Sequence, residues 1–543
     1  MERRILTYLI LLGGIILVPY RLFAQYSTKS DSLLLRDFEY VKHGNVWLSS
    51  DNASGLTQFS SRNINQADVY ARYAKGGLVD YSDATRSLNV GANVESYFRL
   101  SSRTVVYGTM SYDNFSGKNM LGSAFINTSR LPFNIVEDSL TNPGKKHRDT
   151  YRLVGAVGSK VWRQLSLGAK IDFTAANYAK YKDLRHKNKM LDMTLTAGLS
   201  APVTSFLTIG ANYYYRRNIE SVIFSMYGKN EKTYKSLIEY GAFIGLPEGF
   251  GNAGLTDKTT EMPFVNEYQG ATVQLELRPT RSLSFYNSFR MTYRDGYYGR
   301  KSPYTITFTN HSSHCYTYEG QLSYKAASLS HIVDASVDVE NLENRFNIYR
   351  SLTNEAGASY NNYYGDTKSA DKVWINWHAG YTANLNVRGE LPSWILNLSV
   401  SGIQRKQTAY LYPYFRRQNI KNVQTQLAVC RNQMIGKGVL SLSLQFAYLN
   451  GSGEPYEDGT FATPSDKQSD PDNVNAYLYR EYQYLTASQY SVGGNVKYSF
   501  IMPATRMKTF VMLGVNHRKA NETYDFSQGR DHTTLCCSIG CLF

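Results

Sequence analysis

The chain closes on residues 533–543, TTLCCSIGCLF. In an extended strand, side chains alternate between faces. Thr533, Leu535, Cys537, Ile539, Cys541 and Phe543 therefore share one mostly apolar face, and the smaller, more polar set lies behind them. An apolar row ending on an aromatic ring suits a strand with one side in lipid and its end at the lipid–water boundary.

The same alternation recurs upstream. In 164–176 (QLSLGAKIDFTAA), Leu165, Leu167, Ala169, Ile171 and Phe173 oppose Ser166, Lys170, Asp172 and Thr174. Tyr490, Val492, Val496, Tyr498 and Phe500 oppose Asn495, Lys497 and Ser499. The segments pair as hairpins: 88–100 with 103–114, 149–161 with 164–176, 190–200 with 205–216, and 267–278 with 282–293. Then come 315–326 with 329–341, 373–388 with 393–406, 421–432 with 437–450, and 487–500 with 506–517. An opening strand near 65–75 and the closing strand bring the expectation to about 18, within a range of roughly 14 to 20. Such segments exceed the roughly 5–6 residues of an ordinary globular strand. They suit the roughly 9–11 that cross a bilayer at a tilt. The expected fold is all-β: a transmembrane antiparallel β-barrel over 63–543, with short periplasmic turns. Long extracellular loops are expected at 115–148, 217–266, 294–314, 342–372 and 451–486.

The N-terminus has a charged head, Glu2, Arg3 and Arg4, and then an apolar run from Ile5 to Val18. That run is too short for the roughly 20 residues of a spanning helix. Residues 1–24 read as a cleaved secretory signal, which sends the chain to the outer membrane of a Gram-negative bacterium. Charged residues are 19% of the chain and Tyr numbers 45, a balance that fits one lipid face and one wet face. The formal charge of +15 points to anionic lipopolysaccharide or an anionic ligand, because a secreted chain does not meet nucleic acid. Five cysteines without C-x-x-C spacing read as small apolar residues.

Parity places Glu95, Arg99, Asp113, Lys170, Asp172, Glu276, Arg278, Arg290, Glu319, Lys325, Asp334, Asp338, Arg388 and Lys497 on the inner face. Buried unpaired charge is costly, so the lumen is either wet or laced with ion pairs. Arg99, Lys170, Arg278, Arg290, Arg388 and Lys497 are the candidates for lumen selectivity. A barrel of about 18 strands leaves an open channel unless something fills it. Residues 25–62 are the candidate plug, with Leu34, Phe38, Trp47, Asn52 and Gly55 as its docking residues; a periplasmic tail is the alternative. Ser30 or Asp31 would cap a helix over 32–42. The loop 217–266 is a second candidate for folding inward.

Tyrosines crowd the expected loops. Tyr297, Tyr298, Tyr363, Tyr364, Tyr412 and Tyr414 are candidate binding residues, since Tyr offers flat apolar area and a hydroxyl at low entropic cost. An interfacial girdle is the plainer account. Lys145, Lys146, His147 and Arg148, with Lys180, Lys182, Arg185, Lys187 and Lys189, form an expected basic rim for lipopolysaccharide phosphate. Asp466, Asp470 and Asp472 could hold Ca²⁺ but lack the Gly and distal Glu of an EF-hand loop. No metal or cofactor is assigned. The G-x-S-x-G, H-E-x-x-H and P-loop patterns are absent, and His311, Ser312, Ser313 and His314 are a weak cluster, so no enzyme is expected.

The signal ending Phe23-Ala24-Gln25, the segment Trp47…Asn52-Ala53-Ser54-Gly55-Leu56, the hairpin array and terminal Phe543 together resemble an uncharacterised outer-membrane β-barrel family of the Bacteroidetes lineage. The resemblance implies that Phe543 is read by the barrel-assembly machinery. It also implies a gene neighbourhood with TonB-dependent receptors and surface lipoproteins, and an accessory role in uptake. A looser likeness is to fatty-acid channels, whose hatch segment resembles Asn52-Ala53-Ser54-Gly55-Leu56 without its Pro. The expected function is passage or capture of a polar solute. The alternatives are a non-conducting partner barrel that binds a receptor or lipoprotein through its Tyr-rich loops, and a hydrophobic-compound channel. With so few residues ahead of the first strand, the chain is not expected to be a whole TonB-dependent transporter, a fold of 22 strands.

Overall fold

The computed structural model describes residues 33–137, 142–226, 234–249, 261–302 and 305–543. The expected signal and the proposed helix caps Ser30 and Asp31 lie outside the described residues.

Eighteen antiparallel strands run from Ile64–Gly76 to Asp531–Leu542 in one sheet, each paired with the next barrel strand in the chain. The last strand pairs back onto the first, Ile539 opposite Val69 and Cys537 opposite Ala71, which closes the barrel. Beyond the ladder, Asn65 and Phe543 exchange main-chain hydrogen bonds of 3.0 and 2.9 Å. Closure leaves no unpaired edge, as a wall in hydrocarbon requires. Leu535, Ile539 and Phe543 lie exposed on the outer face, as do Leu167, Ile171, Val492 and Val496. Cys541, expected on that face, is buried, and all five cysteines are free thiols.

Each expected hairpin is present. One end carries only short links, three of them two residues long, between Trp162 and Leu165, Arg388 and Leu391, and Ile435 and Gly438. Gly389 and Gly436 adopt φ of +64° and +58° there, the left-handed backbone that two-residue hairpin turns demand. The other end departs from expectation. Most of the proposed loops 294–314 and 342–372 is strand, within Leu283–Ser302, Thr305–Lys325, Leu329–Thr353 and Ser359–Arg388. Ladder hydrogen bonding continues past the lipid, where the outer face is wet and the inner face packs polar and aromatic side chains under the upper loops, so the apolar alternation that marks a strand is gone.

Two further pieces sit with the barrel. Residues 33–62 precede the first strand and carry the short helices Phe38–His43 and Val46–Ser49 and the 3₁₀ turn Ala53–Gln58. At the far end, Asn134–Glu137, Lys235–Gly241, Ile244–Gly249 and Asp472–Asn473 form a separate four-stranded sheet, followed by the helix Asn475–Thr486. No helix among the described residues is long and apolar enough to cross a membrane.

Candidate functional site: a chamber between two closures

The lower closure is the segment 33–62. The expected helix over 32–42 is cut to Phe38–His43, capped by Asp37, whose carboxylate accepts from Tyr40 N at 2.9 Å. Residues just before it are tied to the wall instead. Glu390 N donates to Leu35 O at 2.9 Å, and Arg36 Nε reaches Glu390 Oε2 at 2.7 Å. Phe38, Val41, Leu48, Leu56 and Phe59 pack with Tyr97 and Val105 of the wall as a small apolar foot. Phe59 stacks on Tyr97 at 5.5 Å.

Above the foot the contact is polar. Trp47 Nε1 donates to Glu276 Oε2 at 2.7 Å, and its ring meets Tyr286 edge-on at 5.4 Å. Asn52 is fully buried. Its Nδ2 donates to Gln274 Oε1 at 2.7 Å and to Leu199 O at 3.0 Å, and its Oδ1 accepts from Ser54 N and Oγ. Ser54 Oγ in turn accepts from Ser200 Oγ at 2.8 Å, and Thr57 Oγ1, which donates to Ser54 O, accepts from Ser166 Oγ at 3.0 Å. Asp51 takes Lys170 at 3.0 Å on one oxygen and Arg290 at 2.6 Å on the other. Burial pushes the Asp51 carboxyl up, but Lys170 and Arg290 outweigh it and hold it below its ordinary value.

Such close approach needs a wall without side chains. Gly158, Gly168 and Gly198 stand directly opposite one another on three neighbouring strands, a lane of bare backbone. A Cβ on Gly168 would lie 2.1 Å from Ser54 N, and one on Gly158 would lie 2.4 Å from Ala53 O. One at Gly198 would strike Asn52 Oδ1 at 2.2 Å. On the segment's own side, Gly55 meets Trp47 O at 2.7 Å in the same sense.

The upper closure is built from loops. The strands of the small sheet, with residues 121–133, fold into the mouth. There Phe125, Phe133, Ile135, Ile238, Tyr240 and Ile244 pack against Phe264, Tyr298 and Phe308 of the wall. Part of the loop 217–266 thus does fold inward. Tyr477 and Leu478 of the cap helix join Tyr81, Leu237 and Phe243 in a second apolar cluster. Wall cations reach the main chain of both closures. Lys146 donates to Leu121 O and Ser123 O at 3.1 and 2.8 Å, and Lys372 to Leu131 O at 3.1 Å. Below, Lys508 donates to Leu34 O and Arg36 O at 3.1 and 2.5 Å, Lys325 to Gly44 O and Arg99 to Phe59 O. A carbonyl brings no negative charge, so part of the +15 balance is spent on holding neutral backbone.

Between the closures lies a cavity of about 640 Å³. Arg130, Arg148, Arg216, Arg290 and Arg294 line it with Asp113, Asp192, Glu220, Asp338 and Glu340. Most charges are paired. Arg216 makes a two-pronged contact with Asp192 at 2.8 and 2.6 Å, Arg294 meets Glu340 at 2.8 Å, and Arg130 of the upper closure bridges Asp338 and Glu340. Tyr214 and Tyr268 supply ring faces, with Arg290 over the first at 5.4 Å and Arg216 over the second at 5.0 Å.

The structure redistributes the residues singled out by sequence. Of the proposed selectivity cations, Arg99, Lys170 and Arg290 hold the lower closure. Arg278 does so through Gln58 Oε1 at 2.7 Å while paired with Glu276. Lys497 faces inward over the Phe510 ring at 4.5 Å. Arg388 is exposed at a turn, because Asn386, at φ +52°, interrupts the alternation on which its placement depended. Leu34, Phe38, Trp47, Asn52 and Gly55 are together in the lower closure and buried.

Of the tyrosines, Tyr364 and Tyr412 are exposed. Tyr363 caps Thr307 N at 2.8 Å, Tyr414 reaches Gln468 O at 3.4 Å, and Tyr297 lies under Lys301. Tyr298 is fully buried in the upper closure, because loops from other hairpins fold over it. Lys146 and Lys180 of the expected basic rim are buried and turned inward, Lys180 onto Glu137. Strand alternation separates His311, buried on Asn266, from His314, which lies against Tyr293. Asp466, Asp470 and Asp472 are all exposed, and no metal-binding cluster occurs among the described residues. The glycine lane, the cations on carbonyls and the cap helix were missed. Only the glycines carried a signal, their shared inward parity, and reading it required the register.

Residues 53–543 match a family described as a family of unknown function, DUF6850. The chain belongs to that family. No curated protein matches it. Among solved structures, it is similar to BauA, the ferric preacinetobactin receptor from Acinetobacter baumannii. Identity is 9%, over 89% of this chain and 80% of that one, with a TM-score of 0.41. It is also similar to the ferric-catecholate import receptor Fiu from E. coli K12, at 8% identity over 89% and 82% with TM-score 0.39. A third is the outer membrane transporter YddB from Escherichia coli, at 7% over 88% and 81% with TM-score 0.37. Likeness at this level adds nothing to what the strand pairing already establishes.

Proposed function

We propose that the protein is an outer-membrane barrel that passes or captures a polar solute without catalysis, alone or beside a transporter. The supporting observation is the polar, ion-paired chamber held between two closures of different construction. The outward apolar rows support a lipid setting, and the charged lining argues against a path for hydrophobic compounds. On this reading the chain reaches the outer membrane through a cleaved signal. Lipid and lipopolysaccharide surround it there, and the barrel-assembly machinery inserts it by way of Phe543.

The test is conductance of the purified mature chain in planar bilayers, beside a variant lacking residues 26–60. A silent full chain and a conducting deletion are expected. A deletion variant that stays as silent as the full chain even when Phe133→Ala loosens the upper closure would overturn the channel reading.

A second reading is favoured by the lumen's closure at both ends and by the exposure of Tyr364 and Tyr412, 60% and 72%. It makes the protein a non-conducting partner of a TonB-dependent receptor or surface lipoprotein. Native pull-down from outer membranes decides it, and recovery of a lone barrel would sink it.

A further inference from the structure

Three hairpins of one wall carry an Arg and an Asp in the same diagonal register, and two of the three are closed. Arg152 stands opposite Thr174, and Asp172, two residues before that Thr, takes its guanidinium at 3.0 and 2.6 Å. Arg216 stands opposite Thr194, and Asp192, again two residues before, takes it at 2.8 and 2.6 Å. Arg148 stands opposite Phe115, and Asp113 is two residues before Phe115. Diagonal neighbours of this kind lie about 7–8 Å apart at the backbone, within reach of a long side chain. Yet this third pair does not close.

Its two halves are held apart by named contacts. The Arg148 guanidinium rests on the Phe115 ring at 5.4 Å, and its Nε is buried without a hydrogen-bond partner among the described residues. Asp113 is turned the other way by Tyr70 Oη at 2.8 Å and Asn89 Nδ2 at 2.9 Å. Both donors fall on Oδ2, which leaves Oδ1 without a partner among the described residues. The Tyr70 ring can cross to Asp113 only because Gly91 lies beneath it, where a Cβ would be 2.5 Å from the ring. Asp113 and Arg148 both line the chamber. Its other arginines are engaged: Arg130, Arg216, Arg290 and Arg294 each hold an acid.

We propose that Asp113 and Arg148 form a binding site for a small zwitterion, an amino acid or short peptide. Its carboxylate takes the open side of the Arg148 guanidinium, and its ammonium donates to Asp113 Oδ1. The ligand completes the ion pair that the other two hairpins make for themselves. Among the described residues no acid hydrogen-bonds the Arg148 guanidinium and Asp113 keeps one oxygen free, so a ligand carrying both complements gains two charge-assisted contacts at once. A cavity of this size falls in the ordinary range for small-molecule sites, about 300–1,000 Å³. The inference rests on the transport reading above and names its solute class.

The test is titration calorimetry on the full mature chain in detergent, with dialanine, its C-terminal amide and its N-acetyl form as probes. Dialanine is expected to bind, and each blocked form to bind at least about tenfold more weakly, the loss of one charge-assisted contact. Arg148→Gln is expected to weaken dialanine by a similar factor and leave the amide unchanged, and Asp113→Asn to do the converse with the N-acetyl form. Arg152→Gln, a like change in a hairpin already closed, is expected to leave dialanine binding as it was. The titrations are repeated in Gly168→Val, where the lower closure is forced off its lane, so that access does not decide the result. Absence of dialanine binding in both backgrounds overturns the proposal, as does equal binding of the amide. Binding of only the N-acetyl form would make the site a simple anion site and overturn it too. A barrel that conducts after deletion of residues 26–60 but ignores dialanine keeps the transport reading and loses this one.

Discussion

The two closures meet the same barrel by different physics. The lower one lays backbone on backbone along Gly158, Gly168 and Gly198 and is pinned by small polar contacts and by Asp51 between Lys170 and Arg290. Its apolar foot on Tyr97 is small. The upper one is an apolar core of aromatic and branched side chains, each worth about 1.5–3 kcal/mol on burial. Hydrogen bonds of the kind the lower closure uses contribute about 0.5–1.5 kcal/mol net. Connectivity points the same way. The lower closure enters the barrel through one chain connection, at Ile64, whereas the residues of the upper one are loops fixed at both ends in the wall. The comparison teaches that the lower closure can leave the lumen without breaking a hairpin, and the upper one cannot.

The sharpest way to break this contrast is Gly168→Val. Its Cβ meets main chain, which cannot step aside, so the lower closure is expected to be displaced. Steady single-channel conductance should match that of the variant lacking residues 26–60 in planar bilayers. A G168V barrel that stays silent where the deletion variant conducts would mean that the glycine lane does not seat the segment.

The matching change above is Phe133→Ala. Phe133 is fully buried between Phe125, Phe264 and Tyr298, and truncation of such a ring costs about 3–5 kcal/mol. Amide hydrogen exchange should speed up across 121–137 and 235–249, while the barrel strands keep their protection. Conductance should stay low, because the lower closure is intact. Faster exchange spreading into the barrel strands would show that the two are one cooperative unit.

A smaller effect is expected from Asp51→Asn. Both ion pairs weaken, but the Asp51 side chain is 36% exposed and water screens them, so about 1–2 kcal/mol is at stake. Brief openings should become more frequent in single-channel records without a permanently open state. A record indistinguishable from the parent would assign the holding force to the foot alone.

The smallest effect is in pH, and it runs in opposite directions. The folded Asp51 carboxyl lies below its ordinary value of 3.8, so its contribution is present above that value and is lost as pH falls through the folded value. Glu239 of the upper sheet is raised from 4.5, by burial against the weaker pull of Lys372. Its contribution is present below 4.5 and is lost as pH rises through the folded value. Acid should therefore loosen the lower closure and favour the upper one. Bilayer recordings should show more openings at the acid end, with the trend absent in Asp51→Asn. Exchange across 235–249 should slow on acidification, once corrected for the intrinsic rate, and Glu239→Gln should flatten that trend.

Much of the wall was legible in the sequence, because lipid on one side and water on the other impose a period of two. Leu167, Ile171, Leu535 and Ile539 announce their face by themselves. The hairpin extensions were not legible, since a ribbon with water outside and mixed polar and aromatic packing inside carries no such pattern. The alternation correctly turned Lys170 and Arg290 inward but could not say that both would meet Asp51. It failed at Arg388 because one left-handed residue resets the count. Asn52, Trp47 and Gly55 stood out as odd residues in a polar stretch, but their partners, Gln274, Glu276 and the glycine lane, are separated from them by more than a hundred positions.

The sequence by itself determined a closed barrel of about 18 strands, its lipid face and its turn-bearing end, because these follow from local alternation and turn chemistry. Only the tertiary structure decided what fills the lumen, which cations hold main chain and which diagonal stays open. Those outcomes depend on which strand stands beside which and in what register. A single step of register sends a side chain to the other face, and no local stretch of sequence encodes it.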